Sequence, residues 1–280
     1  MNSEIDITTS SYGQPSSLAD SLVVDISASR ISFQELDSKR HQPLFVCHYP
    51  IETTTERTLG DSLHQAIRHF QFHQKKYEGV YINYFSAQFT LCPSHFYDVA
   101  NNRKLLEFNV GDVGPNFILV DEINSDIKLL YAIEEGLKST LDTLFPNHQL
   151  KHNLTVLSRL MLQTDELVKE DVLLHINSNY IEVVYKQNHQ LILANQFAVK
   201  TQEDVLYYVL FLLEQYQLNP LFVSICVIGN IETTSPLLTT LKKYIKNIHL
   251  ARGHKSLNWQ SITGMPQHFN YTLLNRLFCE

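Results

Sequence analysis

The feature that most limits how this chain can fold is a rhythm that occurs twice. Residues 23–36, VVDISASRISFQEL, read as a strand, a polar turn at Ser27-Ala28-Ser29 and a second strand. Residues 172–185, VLLHINSNYIEVVY, repeat that rhythm around Asn177-Ser178-Asn179. Apolar residues alternating with polar ones, interrupted by a cluster of small polar residues, are the pattern of a hairpin with one buried face.

The stretches after the two hairpins match as well. After the first come a polar turn, DSKRHQ, and a third strand, PLFVCHYPI. Thr58 and Asp61 then form a T-x-x-D helix start, in which the hydroxyl caps a backbone N–H and the carboxylate complements the helix dipole. Leu59, Leu63, Ala66, Ile67 and Phe70 give the helix one apolar face, and VYINYF is a fourth strand. After the second hairpin come KQNHQ, the strand LILANQFAV, and a second T-x-x-D start at Thr201 and Asp204. The stripe Val205, Val209, Leu213, Tyr216 comes next, Asn219-Pro220 stops the helix, and LFVSICVIG is the next strand. Both stretches read β-β-β-α-β, a mixed sheet in which a hairpin-linked part meets a crossover strand. Matching turns and caps in the same order argue for internal duplication.

At 280 residues the chain is long enough for two cores. Its formal charge of −7 argues against a dedicated nucleic-acid binder, which shows a basic face. The densest basic cluster, KKYIK at 242–246, reads as a solvated helix face. Cys47, Cys92, Cys226 and Cys279 form no C-x-x-C pair, so a reducing, cytoplasmic setting is the expectation. Residues 1–20 read as a polar, disordered tail without the regions of a signal peptide. No apolar run approaches the roughly 20 residues that span a bilayer, so no membrane insertion is expected.

Between the repeats lies an insert at about 85–150. AQFTLCP and NFILVDEI read as strands, SHFYDVANNRKLLEF as a helix, and SDIKLLYAIEEGLKSTLDTLFP as helical up to Pro146. LTVLSRLMLQTDEL is predicted to be a helix leading into the second repeat. SPLLTTLKKYIKN is predicted as a helix, IHLAR as a strand, and HFNYTLLNRLF as a final helix. The expected division is a first lobe at 21–165, a second at 166–253, and a segment at 254–280 that packs back on the first.

The duplicated β-β-β-α-β order resembles the actin-like fold shared by actin, heat-shock chaperones, sugar kinases and the pilus protein PilM. FTLCPSHFYD and TQEDVLYYVLFLLEQYQLNP are similar to segments of an uncharacterised bacterial family, a domain of unknown function placed among actin-like proteins. The resemblance implies an α/β protein of two ribonuclease H-like units forming two actin-like lobes. It implies no activity by itself.

In nucleotide-binding members of that superfold each hairpin carries a D-x-G-type loop. The glycine admits phosphates to the backbone N–H groups, and the acid positions a divalent cation. Here Asp25 holds the acidic position, Ser27 replaces the glycine, and Ser29 offers a hydroxyl. The second loop has His175 for the acid and Asn177 for the glycine, and Gly229 stands alone where such proteins carry a glycine pair. Asp25, Ser27, Ser29, Asn177 and Gly229 are therefore the candidate nucleotide-binding residues, on loops worn away from the pattern. Each also has a structural reading: a turn-capping carboxylate, turn residues, and a glycine between strand and helix.

Other motifs are weaker. His69 and His73 share a helix face but lack a zincin glutamate and a third ligand. Ser158 has no G-x-S-x-G around it. No catalytic residue, metal or cofactor is expected, ATP with magnesium being what the superfold would take. The expectation is a non-enzymatic interaction or scaffold protein with an unknown protein partner. A nucleotide-binding switch or weak ATP-dependent phosphotransferase using the cleft between the lobes stays open, as does oligomerisation.

Overall fold

The computed structural model describes residues 11–51, 57–164, 167 and 169–279. Residues 1–10 of the expected tail, and Asp165 and Glu166 of the helix expected from Leu154, lie outside the described residues. Two compact units divide the chain. The first runs to Val156 and also takes Ser256–Met265 and Thr272–Arg276, while the second takes Leu157–Lys255, Pro266–Tyr271 and the residues from Leu277.

The first unit begins with β1 (Tyr12–Gly13), β2 (Ser21–Ile26), β3 (Arg30–Asp37), β4 (Gln42–Pro50), α1 (Leu59–His69) and β5 (Gly79–Tyr84). An insert comes next: β6 (Phe89–Pro93), α2 (Asn102–Val110), β7 (Phe117–Glu122) and β8 (Ile127–Ile133). The repeat then resumes with α3 (Glu135–Leu144) and β9 (Gln149–His152), and α4 (Asn153–Gln163) leads onward. The second repeat is β10 (Val172–Ile176), β11 (Tyr180–Gln187), β12 (Gln190–Ala198), α5 (Gln202–Gln215), β13 (Ser224–Gly229), α6 (Pro236–Tyr244) and β14 (Asn247–Leu250), and α7 (Tyr271–Asn275) comes last.

The duplication extends one helix and one strand beyond the sequence reading. The first main sheet has the order β1-β4-β3-β2-β5-β9 and the second β12-β11-β10-β13-β14. In each, the hairpin strands are antiparallel and the two crossover strands parallel. Even an irregularity repeats. The ladder of β3 with β4 shifts register after Glu35, and that of β11 with β12 shifts after Tyr185, so Leu44 and Ile192 are each skipped. A bulge of this kind bends and twists the strand locally.

Both helix starts form as the T-x-x-D pattern predicts. Thr58 Oγ1 accepts the Asp61 N–H at 3.1 Å while the Asp61 carboxylate accepts the Thr58 N–H at 3.1 Å. Thr201 and Asp204 make the same reciprocal pair at 3.2 and 2.9 Å. Each box satisfies two backbone donors that the first helical turn leaves unpaired. Both carboxyls are held below their ordinary pKa by these hydrogen bonds, those of the Thr58 side chain and N–H for Asp61 and those of the Lys200 and Thr201 N–H groups for Asp204.

Each helix layer buries one face of its sheet. In the first unit Phe33 packs on Phe72, ring centroids 4.8 Å apart, with Leu63, Ile67 and Ile82 fully buried around them. In the second, Val205, Val209, Leu212 and Leu213 of α5 pack on Leu174, Val183, Ile225 and Val227.

Three expectations need correction. Residues 127–133, read as part of a long helix, form β8, the central strand of the three-stranded sheet β6-β8-β7. A strand covered on both faces is apolar on both, so its period of two disappears and the run imitates a buried helix. The helix read over 94–108 is regular only from Asn102; before it stand two single 3-10 turns, the second capped by Asp98. Residues 11–20, assigned to the tail, are placed. Tyr12 and Gly13 pair with Val46 and Phe45, and the Ser16 N–H reaches the buried Glu35 carboxylate at 3.3 Å.

Candidate functional site

The two hairpin turns share a backbone. The Ser27 N–H donates to the Arg30 carbonyl and the Asn177 N–H to the Tyr180 carbonyl, each at 3.0 Å. The Ile51 N–H reaches the Ser29 carbonyl at 2.9 Å, as the Val199 N–H reaches that of Asn179 at 3.0 Å. The side chains at these turns then diverge.

In the first unit Asp25 lies near the end of β2, directly across from Ser32 on β3 and Asn83 on β5. Opposed residues in a sheet point to one face, so the three form a polar row on the face away from α1. Both Asp25 oxygens are engaged. Oδ1 accepts from Asn83 Nδ2 at 2.7 Å and Oδ2 from the Thr272 hydroxyl at 3.0 Å. Asp25 is only 9% exposed. Beside it Ser32 Oγ meets the buried His48 Nδ1 at 2.9 Å. Burial, aided by the Arg30 charge, pushes the His48 pKa down to about 3, so the ring is neutral at physiological pH. The segment carrying Thr272 closes over this face: the Arg276 guanidinium lies 5.3 Å from the centre of the Tyr81 ring.

Ser27 turns inward on its own loop, its hydroxyl donating to the Arg30 carbonyl at 2.9 Å and accepting the Arg30 N–H at 3.2 Å. Ser29 is exposed at the tip.

In the second unit the acid moves one strand over. His175 takes the place of Asp25, and its cross-strand neighbour is Glu182 where the first unit has Ser32. His175 Nδ1 lies 2.8 Å from Glu182 Oε2, both residues buried. With the carboxylate at Nδ1, that nitrogen carries a proton toward it, and Asn177 Nδ2 lies 3.3 Å from Nε2. The carboxylate thus orients the ring, and the asparagine amide lies against its other nitrogen.

Gly229 packs against this group. Its φ is +95°, and a Cβ built there would stand 2.2 Å from the Ile176 carbonyl oxygen and 2.7 Å from His175 Cδ2. Only glycine fits a left-handed position this close to a neighbouring strand. Its N–H donates to the His268 carbonyl at 2.8 Å.

Asp25, Ser27 and Ser29 thus gather in the first unit, and Asn177 and Gly229, with His175, in the second. Sequence reasoning missed the partners that define both groups: Asn83, Thr272 and Glu182. For Glu182 a signal existed, because the strand register places it opposite His175; for Thr272, 247 residues from Asp25, none did. The motifs set aside earlier remain apart. His69 ends α1 while His73 lies in a 3-10 turn. Among the described residues no three His, Cys, Asp or Glu side chains gather as a metal ion needs. Nor is any described helix long and apolar enough to cross a membrane.

Two sheets of matching strand order, each with its crossover helices, make the actin-like fold, and solved structures carry it. A Bacteroides thetaiotaomicron protein with an actin-like ATPase fold and unknown function superposes with a TM-score of 0.75 at 18% identity, covering 93% of this chain and 96% of that one. The PilM–PilN type IV pilus biogenesis complex matches at a TM-score of 0.53 and 13% identity, over 93% of this chain and 95% of that one. The ethanolamine utilization protein EutJ of Carboxydothermus hydrogenoformans matches at 0.52 and 7%, over 92% and 89%. A comparison with curated proteins found no match. The chain belongs to the family described as "Protein of unknown function (DUF3822)", whose model matches residues 12–248.

Proposed function

We propose that this protein is a non-enzymatic interaction or scaffold protein that keeps the actin-like architecture without ATP turnover. The observation that carries this reading is the engagement of Asp25. The carboxylate at the cation-positioning place already accepts hydrogen bonds from Asn83 and Thr272 on its two oxygens. A hydrated magnesium ion at this carboxylate would compete with donors that are buried with it, and each donor it displaced would be left unpaired at a cost of about 1–3 kcal/mol. The second site supports the same reading, since a Glu182-oriented imidazole offers a cation a poorer hold than a free carboxylate. Another protein of this fold, PilM, is found in a complex with PilN, which gives the partner-binding role a structural analogue. The partner here is a protein.

The test is a thermal-shift titration of the whole chain with ATP, ADP and GTP, with and without magnesium. A ligand bound only to the folded state raises its melting temperature by mass action, and a flat response is expected. Magnesium-dependent stabilisation together with ATP hydrolysis that disappears in Asp25→Ala would refute the proposal in favour of a nucleotide-binding switch or phosphotransferase.

A further inference from the structure

The two repeats differ sharply at one edge of the sheet. In the first unit the outer edge of β4 is covered: β1 pairs with it at Val46 and Phe45, and the Gln14 N–H donates to the carbonyl of the bulged Leu44 at 3.2 Å. In the second unit the equivalent strand, β12, ends the sheet, and among the described residues no strand pairs with its outer edge. Matching the two registers places Ile192 at the position of Leu44. Leu44 is buried, whereas Ile192 is 41% exposed.

Natural sheets protect such edges with charge, proline, a short strand or a bulge. Of these β12 has only the bulge at Ile192, whose first-repeat counterpart lies on a strand that is paired nonetheless: β12 is nine residues long, QLILANQFA, with no charged residue and no proline. The helix beside it carries a second difference. Aligning α1 with α5 on their capping boxes sets His64, Gln65 and Arg68 against Tyr207, Tyr208 and Phe211. Tyr208 stacks on Phe197 of β12 with ring centroids 4.7 Å apart, and Tyr207 stacks on Phe211 at 6.0 Å. Tyr207 is 61% and Phe211 47% exposed. An aromatic row thus starts at the bare edge strand and runs out over the neighbouring helix surface, where the first repeat is polar.

We propose that β12 and the Tyr207–Phe211 flank of α5 form a self-association surface, on which β12 pairs antiparallel with β12 of a second copy of this chain. The first repeat shows that a strand covers this edge when it is covered. An antiparallel pair about a two-fold axis is self-complementary, and an uncharged strand meets its own copy with no like charges opposed. The same axis, perpendicular to the sheet, keeps both copies of α5 on one face of the joined sheet. Their exposed aromatic rows then lie beside each other across the axis. Ladder hydrogen bonds along β12 and two pairs of aromatic side chains are gained together.

Sedimentation of the whole chain at micromolar concentration tests this. The expected result is a species of twice 32.4 kDa. Ile192→Lys and Phe211→Arg, which put like charges across the axis, should each weaken association by about tenfold or more. Phe108→Arg, at an aromatic that is 87% exposed in the insert, should leave it unchanged. Tyr207→His, which copies the first repeat, serves if either charged variant fails to fold. Amide exchange within β12 should slow as concentration rises. A monomeric wild-type chain overturns the proposal and leaves the edge to an extended segment of another protein. So does an assembly that survives Ile192→Lys with Phe211→Arg, or one that Phe108→Arg disrupts equally.

Discussion

Set side by side, the two repeats agree in everything the backbone needs and differ in what faces outward or into the hairpin site. Strand order, bulge position, turn hydrogen bonds and the T-x-x-D capping boxes coincide. Asp25 and Ser32 give way to His175 and Glu182, Asn83 gives way to Ile228, and His48 to Gln196. The lesson is that ladder and cap chemistry is constrained locally, whereas the polar groups at the strand ends can be exchanged if each new set satisfies itself. Asp25 is satisfied by neighbours on β5 and α7, and His175 by a neighbour on the adjacent strand.

Matched substitutions break or sharpen this comparison. The largest effect is expected at Gly229, where the first repeat has Tyr84 in ordinary strand conformation. Gly229→Ala forces a Cβ into the Ile176 carbonyl at a positive φ and should cost about 3 kcal/mol or more in chemical denaturation. Gly136→Ala, in α3 with open space around it, should be neutral or slightly stabilising. Next comes the cross-strand position. Glu182→Ala leaves a buried imidazole N–H without its acceptor and should cost about 2–3 kcal/mol, against about 1 kcal/mol for Ser32→Ala. Equal losses at the two positions would refute the claim that the second site is built on its carboxylate.

The third contrast is acid sensitivity. His48 has its folded pKa near 3, below the unfolded value of 6.5, so the neutral ring's contribution is complete above 6.5. It is lost as pH falls from there toward 3, because the unfolded chain takes up a proton that the folded one refuses, at up to about 1.4 kcal/mol per pH unit. Its counterpart Gln196 does not titrate. His48→Leu should therefore remove about one proton from the pH slope of stability, read from urea melts at about pH 6 and about pH 4.5. An unchanged slope would contradict the neutral assignment. Smallest are the caps: Thr58→Ala and Thr201→Ala should each cost about 1 kcal/mol. A clear inequality would show that the two boxes are not equivalent.

Much of the repeat was legible because its signals are local. A three-residue polar turn between alternating strands and a threonine three residues before an aspartate act within a few residues of themselves, and they fold the same way twice. The insert was less legible. IKLLYAI lost its alternation because both faces of β8 are covered, and the stretch before α2 breaks into two single 3-10 turns, the second capped by Asp98. The candidate site was legible only as positions. Asp25, Asn177 and Gly229 could be named from hairpin and strand order, but what each side chain does depends on partners from other strands. Glu182 required the register, and Thr272 required knowing where the segment after the second repeat returns. Likewise Tyr207 and Phe211 look like ordinary members of an apolar helix until the edge strand beside them is seen to end the sheet.

The bond from Thr272 to Asp25 also has a consequence in time. A chain emerging from the ribosome releases β2, its hairpin and β5 early, and N-terminal units fold first as they appear. Asn83 arrives with them, but the Thr272 hydroxyl is made 247 residues after Asp25. Until then one oxygen of a carboxylate destined for the interior must be solvated, and the first sheet must wait with that face unsealed. The whole second repeat is synthesised in the meantime. A chain cut short before Thr272 would therefore leave its earliest-made part open.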